Sequence, residues 1–110
     1  MPTEYDKLIR DRIPEVIESN GETAVTRRVE GEEYGDYLAE KLVEEASEFR
    51  EAREDEGEDA DRELADVLEV VETLLDRRDR ERIDRLRADK VGERGGFAEG
   101  IVLERVEGGD

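Results

Sequence analysis

The 110-residue sequence contains no cysteine and no histidine. Without cysteine there is no disulfide framework. Without histidine there is no imidazole general base, and the Glu-x-x-His pairs of iron and manganese bundle sites are missing. The chain also has no run of 18 apolar residues and no charged-then-apolar leader. Neither a membrane span nor a signal peptide is therefore expected, and the expectation is a cytoplasmic protein. Lysine is scarce: of 18 basic residues only Lys7, Lys41 and Lys90 are lysine.

Acid is abundant. Asp and Glu number 35, the net charge is −17, and 48% of residues are charged. Such a surface repels nucleic acid and anionic membranes, so neither is expected as a partner. Two explanations compete for the charge. A salt-adapted, halophilic cytoplasm favours acidic, lysine-poor surfaces, and this is the reading adopted; the alternative is an acidic mimic of a nucleic-acid backbone. Disorder, the third outcome for acidic chains, conflicts with the apolar periodicity.

One domain is expected from the length. Residues 1–12 gather Lys7, Arg10 and Arg12 into a basic spot. Pro14 suits the first turn of a short helix, PEVIESN, ended by Gly21. Residues 23–29, TAVTRRV, are β-branched and suit a strand. Long helices are expected over about 32–54 and 59–77, separated by EDEGED with Gly57 as breaker and Asp59 as N-cap. A third is expected over about 80–91. ERGGF then breaks the pattern, and GIVLERV, residues 100–106, suits a second strand that would pair with 23–29 in a small antiparallel sheet. The closing EGGD is expected to fray.

The long helices place acid where a core should be. Each helical residue advances about 100°. With Leu38 at zero, Leu42 and Phe49 fall within about 40° and Ala46 near 80°. Glu45 lands at about −20°, inside that stripe, and Glu48 lies at its edge. On the next helix Leu64, Val67, Leu68, Val71, Leu74 and Leu75 form the stripe. Glu63 sits in its flank between Val67 and Val70, with Asp66 just outside. Adjacent antiparallel helices would bring Glu45, Glu48, Glu63 and Asp66 together. Four carboxylates in one low-dielectric place repel strongly, and a hard divalent cation such as Mg²⁺ relieves that repulsion. In so acidic a chain, helical acid pairs also arise by chance as solvated faces; the position of Glu45 inside an apolar stripe is what separates this cluster from that background.

These residues also carry a resemblance. Glu44-Glu45-Ala46-Ser47-Glu48 followed by Glu63-Leu64-Ala65-Asp66 reads as EExxE and ExxD with 14 residues between. The order and spacing resemble the signature of the all-α nucleoside triphosphate pyrophosphatase superfamily, which includes MazG, dimeric dUTPases and phosphoribosyl-ATP pyrophosphohydrolase. YDKLIRDRIPEVIE and DKVGERGGF resemble the flanks of its small, single-domain MazG-like branch. The resemblance covers about residues 5–106. It implies a helical bundle that dimerises, and Mg²⁺-dependent hydrolysis of a nucleoside triphosphate to monophosphate and pyrophosphate. It further implies that Glu45, Glu48, Glu63 and Asp66 hold the metal, with Glu44 supporting the ligands or orienting the water. The chain departs from MazG in lacking its tandem repeat, and from phosphoribosyl-ATP pyrophosphohydrolase in its KLIRDRIP segment and strand-like tail.

Phosphoanhydride hydrolysis depends on positioning and charge neutralisation, and a metal-bound hydroxide needs no histidine base. Lys7, Arg10, Lys90 and Arg94 are the candidate phosphate contacts, each with a surface ion pair as its alternative. Phe97 would either stack on a base or, the preferred reading, pack under the bundle. A homodimer or higher oligomer is expected through the apolar face of residues 64–75. The alternatives in function are phosphoribosyl-ATP pyrophosphohydrolase and a non-catalytic acidic binding module. Base preference is not legible.

Overall fold

A computed structural model describes residues 3–55 and 57–109. Among them are four helices and no strand, so the chain is all-α: α1 (Ile13–Ser19), α2 (Gly31–Glu54), α3 (Ala60–Asp76) and α4 (Arg80–Arg94). The helices group into two compact units, Met1–Arg77 and Arg78–Asp110.

In the first unit α2 packs against α3. Their start and stop signals are local. Asp59 caps α3, its carboxylate accepting a hydrogen bond from the Asp61 amide at 3.1 Å. Gly57 takes φ +103° in the connection, a conformation that other L-residues rarely adopt. The two helices run antiparallel. Arg77, at the end of α3, reaches the first residue of α2, donating to the Gly31 carbonyl at 2.8 Å. Its guanidinium also lies 4.5 Å from the centre of the Tyr34 ring, so a single side chain ties the open ends of the hairpin.

The buried residues of α2 are Leu38, Glu45 and Ala52. They stand seven apart, which keeps them on one seam of the helix. On α3 the buried residue is Val70, with Glu63, Val67 and Leu74 half-buried. Leu64 and Leu68, expected in the apolar stripe, are instead 49% and 59% exposed. The face of α3 towards α2 is thus rotated from the most apolar stripe towards Glu63.

The segment before α1 is fastened to the hairpin by polar contacts. Tyr37 donates a hydrogen bond to Asp6, Lys7 meets Glu44, and Arg10 meets Asp66. Arg27 grips both carboxylate oxygens of Glu33 at 3.1 and 3.2 Å and donates to the Tyr37 hydroxyl.

In the second unit Asp79 caps α4 by accepting from the Arg82 amide at 3.1 Å. The helix runs three residues past its expected end, to Arg94, and stops at Gly95, whose φ is +80°. Phe97 is fully exposed, contrary to the packing expected of it; it follows the Gly95-Gly96 break, outside any helix that could aim it at a core.

The expected two-stranded sheet is not formed among the described residues. Residues 23–29 and 100–106 have no regular structure, and Val25, Ile101, Val102 and Leu103 are all largely exposed. Two paired strands are marginal without a surface to pack on, so β-branched composition alone does not produce them. Residues 107–109 are irregular; Asp110, which completes the EGGD end, and Glu56 of the EDEGED break lie outside the described residues. No described helix is long and apolar enough to cross a membrane.

Candidate metal centre

Glu45, Glu48 and Glu63 converge. One carboxylate oxygen from each lies within 4.8 Å of the other two. Oxygens that ligate one Mg²⁺ at about 2.1 Å stand up to about 4.2 Å apart across the ion, so closure needs only small side-chain shifts. α2 supplies Glu45 and Glu48 on successive turns, and the first turn of α3 supplies Glu63.

Glu45 is only 6% exposed, and its Oε2 is buried with no hydrogen-bond partner. The Oε2 of Glu63 is in the same state. A buried carboxylate oxygen without a partner is costly. Both residues belong to the three-carboxylate group, which is the donor set of a hard divalent cation.

The repulsion is visible in Glu48. Its carboxyl titrates at about 7 instead of 4.5, raised first by loss of solvent and then by contact with Glu45 and the charges of Glu45, Glu44 and Glu63. The cluster can therefore be balanced in two ways: by a proton on Glu48 or by a cation among all three.

Beyond the cluster, Glu48 and Glu63 line a groove of about 220 Å³ with Glu51, Ala52, Asp55 and Glu58. The groove gives the cluster access to solvent between the end of α2 and the start of α3.

Lys41 is the functional residue that sequence reasoning passed over. Its side chain is 15% exposed, and its ammonium lies 3.3 Å from Glu44 Oε2 and 3.2 Å from Glu45 Oε1. Burial lowers its pKa, but Glu45 and Glu44 outweigh burial and the net shift is upward, so it stays charged. The ammonium holds Glu45 by Oε1, while Oε2 is buried without a partner. The signal was present: Lys41 stands three and four residues before two of the acids, on the same helical face.

Glu44 is not one of the three converging glutamates. It sits between two lysines, with Lys7 3.6 Å from Oε1 and Lys41 3.3 Å from Oε2. Each of its oxygens is thus engaged by an ammonium group.

Asp66 is outside the three-glutamate group. It stands one turn along α3 from Glu63, and its Oδ1 accepts from Arg10 at 2.6 Å. Lys90 and Arg94 are exposed on α4 of the second unit.

No family model matches the chain, and no solved structure matches it. An uncharacterized protein of Mycolicibacterium smegmatis is similar, 48% identical over 46 residues. That stretch is 42% of this chain and 47% of the mycobacterial protein, so the match spans about half of the relative's length.

Proposed function

We propose that the protein is a Mg²⁺-dependent nucleoside triphosphate pyrophosphohydrolase of the MazG-like bundle type, removing noncanonical or surplus nucleotides. The observation that carries this reading is the convergence of carboxylate oxygens from Glu45, Glu48 and Glu63 within 4.8 Å of one another, in residues two of which, Glu45 and Glu63, each bury an oxygen without a partner. The motif order EExxE then ExxD on two packed antiparallel helices supports it.

Glu45, Glu48 and Glu63 are the residues that would hold the ion. When bound, Mg²⁺ neutralises phosphate charge and lowers the pKa of a coordinated water. The remaining work belongs to the chain. Lys41 fixes the orientation of Glu45 by its contact with Oε1. Glu48 releases its proton as the site fills, since a carboxylate must be deprotonated to ligate. Lys7 and Arg10, partly exposed beside the cluster, meet the phosphates. The acidic groove alone would repel a free triphosphate, so its binding depends on the cationic side chains of Lys7 and Arg10 and on neutralisation of the carboxylates.

The assembly we propose is a homodimer, or a higher homo-oligomer, through the face bearing the exposed Leu64 and Leu68. A hairpin this small leaves apolar surface that a second copy can cover.

The test is pyrophosphate release from a panel of ribo- and deoxyribonucleoside triphosphates and phosphoribosyl-ATP with Mg²⁺, in low and in high salt. EDTA-sensitive release from one or more of them is expected. Activity confined to phosphoribosyl-ATP would move the assignment to that pyrophosphohydrolase. No release from any of them would leave a non-catalytic acidic binding module.

A further inference from the structure

Two residues with opposite expected roles are paired with each other. Arg10, a phosphate contact by sequence, donates to Asp66, a metal ligand by sequence, at 2.6 Å. Asp66 is one turn from Glu63, whose Oε2 is buried and unpartnered. A fourth carboxylate thus stands beside the three-glutamate cluster with one oxygen committed to a guanidinium.

We propose that Arg10 is a resident counter-cation of the cluster, competing with the divalent ion for Asp66 and exchanging partners when metal and polyphosphate bind together. Asp66 then turns to the metal and Arg10 to a phosphate. This rests on the metal-centre reading above and adds to it a coupling between the two ligands.

Three features favour exchange over a fixed pair. First, the contact is solvent-accessible, with the Arg10 and Asp66 side chains 58% and 37% exposed; such pairs are weak and easily replaced. Second, guanidinium binds phosphate through two parallel hydrogen bonds, whereas here Arg10 makes one short contact to one carboxylate oxygen. Third, Arg10 lies outside the two helices of the hairpin and meets α3 through a side-chain ion pair, so a change of partner at Arg10 needs no repacking of the α2–α3 core. Coupling of this kind is reciprocal: metal that draws Asp66 away frees Arg10 for the polyphosphate, and polyphosphate on Arg10 frees Asp66 for the metal.

Calorimetric titration of the full-length, metal-free protein tests this. Mg²⁺ alone is titrated at fixed, high monovalent salt into wild type, Arg10→Gln, Asp66→Asn, the double variant and Glu45→Gln. Arg10→Gln is expected to bind Mg²⁺ about two- to fivefold more tightly, the range an exposed ion pair can supply. Asp66→Asn is expected to bind it more weakly, and Arg10→Gln to add nothing in the Asp66→Asn background. The Mg²⁺ complex of inorganic triphosphate, used as the second titrant, is expected to bind Arg10→Gln more weakly than wild type. Unchanged Mg²⁺ affinity in Arg10→Gln would overturn the proposal. An equal gain in the Asp66→Asn background would do the same, since it would reflect long-range charge alone. Unweakened Mg²⁺–triphosphate binding would remove the exchange. Wild-type binding that Glu45→Gln leaves intact, or no binding at all, would sink the metal centre itself, a different outcome from failure of the exchange.

Discussion

Glu48 gives the cluster a pH dependence with a definite sign. Its carboxyl is raised from 4.5 to about 7, so between those values the folded protein holds a proton that the unfolded chain releases. Folded-state stability from this group is complete below 4.5 and is lost as pH rises through about 7. Metal-free protein, melted at constant high salt, should lose melting temperature across that window. Glu48→Gln should flatten the loss, because an amide has no proton to release. If the two proteins show the same slope, Glu48 does not carry the shared proton. Bound metal replaces that proton, so the Mg²⁺-induced rise in melting temperature should grow with pH over the same range. Part of this site was readable in the sequence. Glu45 lies seven residues from both Leu38 and Ala52, so helical geometry alone put it on the seam that the structure buries. Lys41 was readable by the same rule, three and four residues from its partners. The Arg10–Asp66 pair was not: 56 residues separate them, and no local period relates them.

At the scale of the helices, caps and breakers were legible because they are local chemistry, and pairing was not because it is tertiary. Asp59 and Gly57 mark the start of α3 and the connection before it from sequence alone. Asp59→Ala should cost about 1 kcal/mol of unfolding free energy, the usual loss of a side-chain cap. The β-branched segments 23–29 and 100–106 show the converse, since strand propensity yields no strand without a partner and a packed face. Arg77 could be read as a basic helix end but not as the tie across the hairpin. Arg77→Ala removes a hydrogen bond to the Gly31 carbonyl and a cation–π contact with Tyr34. It should cost about 1–2 kcal/mol, measured by denaturant unfolding. Replacement of the exposed Arg53 by Ala should change stability by less than about 0.5 kcal/mol. Equal losses for the two arginines would show that Arg77 is no clamp.

At the scale of the whole molecule, net charge governs assembly and the conditions under which it is measured. With −17 per chain, copies repel, and salt within the Debye length relieves that repulsion. The proposed homodimer should therefore be seen by light scattering at micromolar protein in high salt. Leu68→Glu should shift it towards monomer without changing helix content; a wild-type monomer under those conditions would refute the dimer. The same charge makes any added salt stabilising, so a specific Mg²⁺ effect must be separated from screening. The decisive measurement is the Mg²⁺-induced change in melting temperature of wild type and Glu45→Gln at one fixed, high monovalent salt concentration, with Glu54→Gln as the exposed control. Glu51 is unsuitable as that control because it lines the groove beside Glu48 and Glu63. Wild type should melt higher with Mg²⁺, since a ligand that binds only the folded state stabilises it. Glu45→Gln should gain little from Mg²⁺, while Glu54→Gln should behave as wild type. If Glu45→Gln keeps the full Mg²⁺ shift, the three glutamates are not a metal centre.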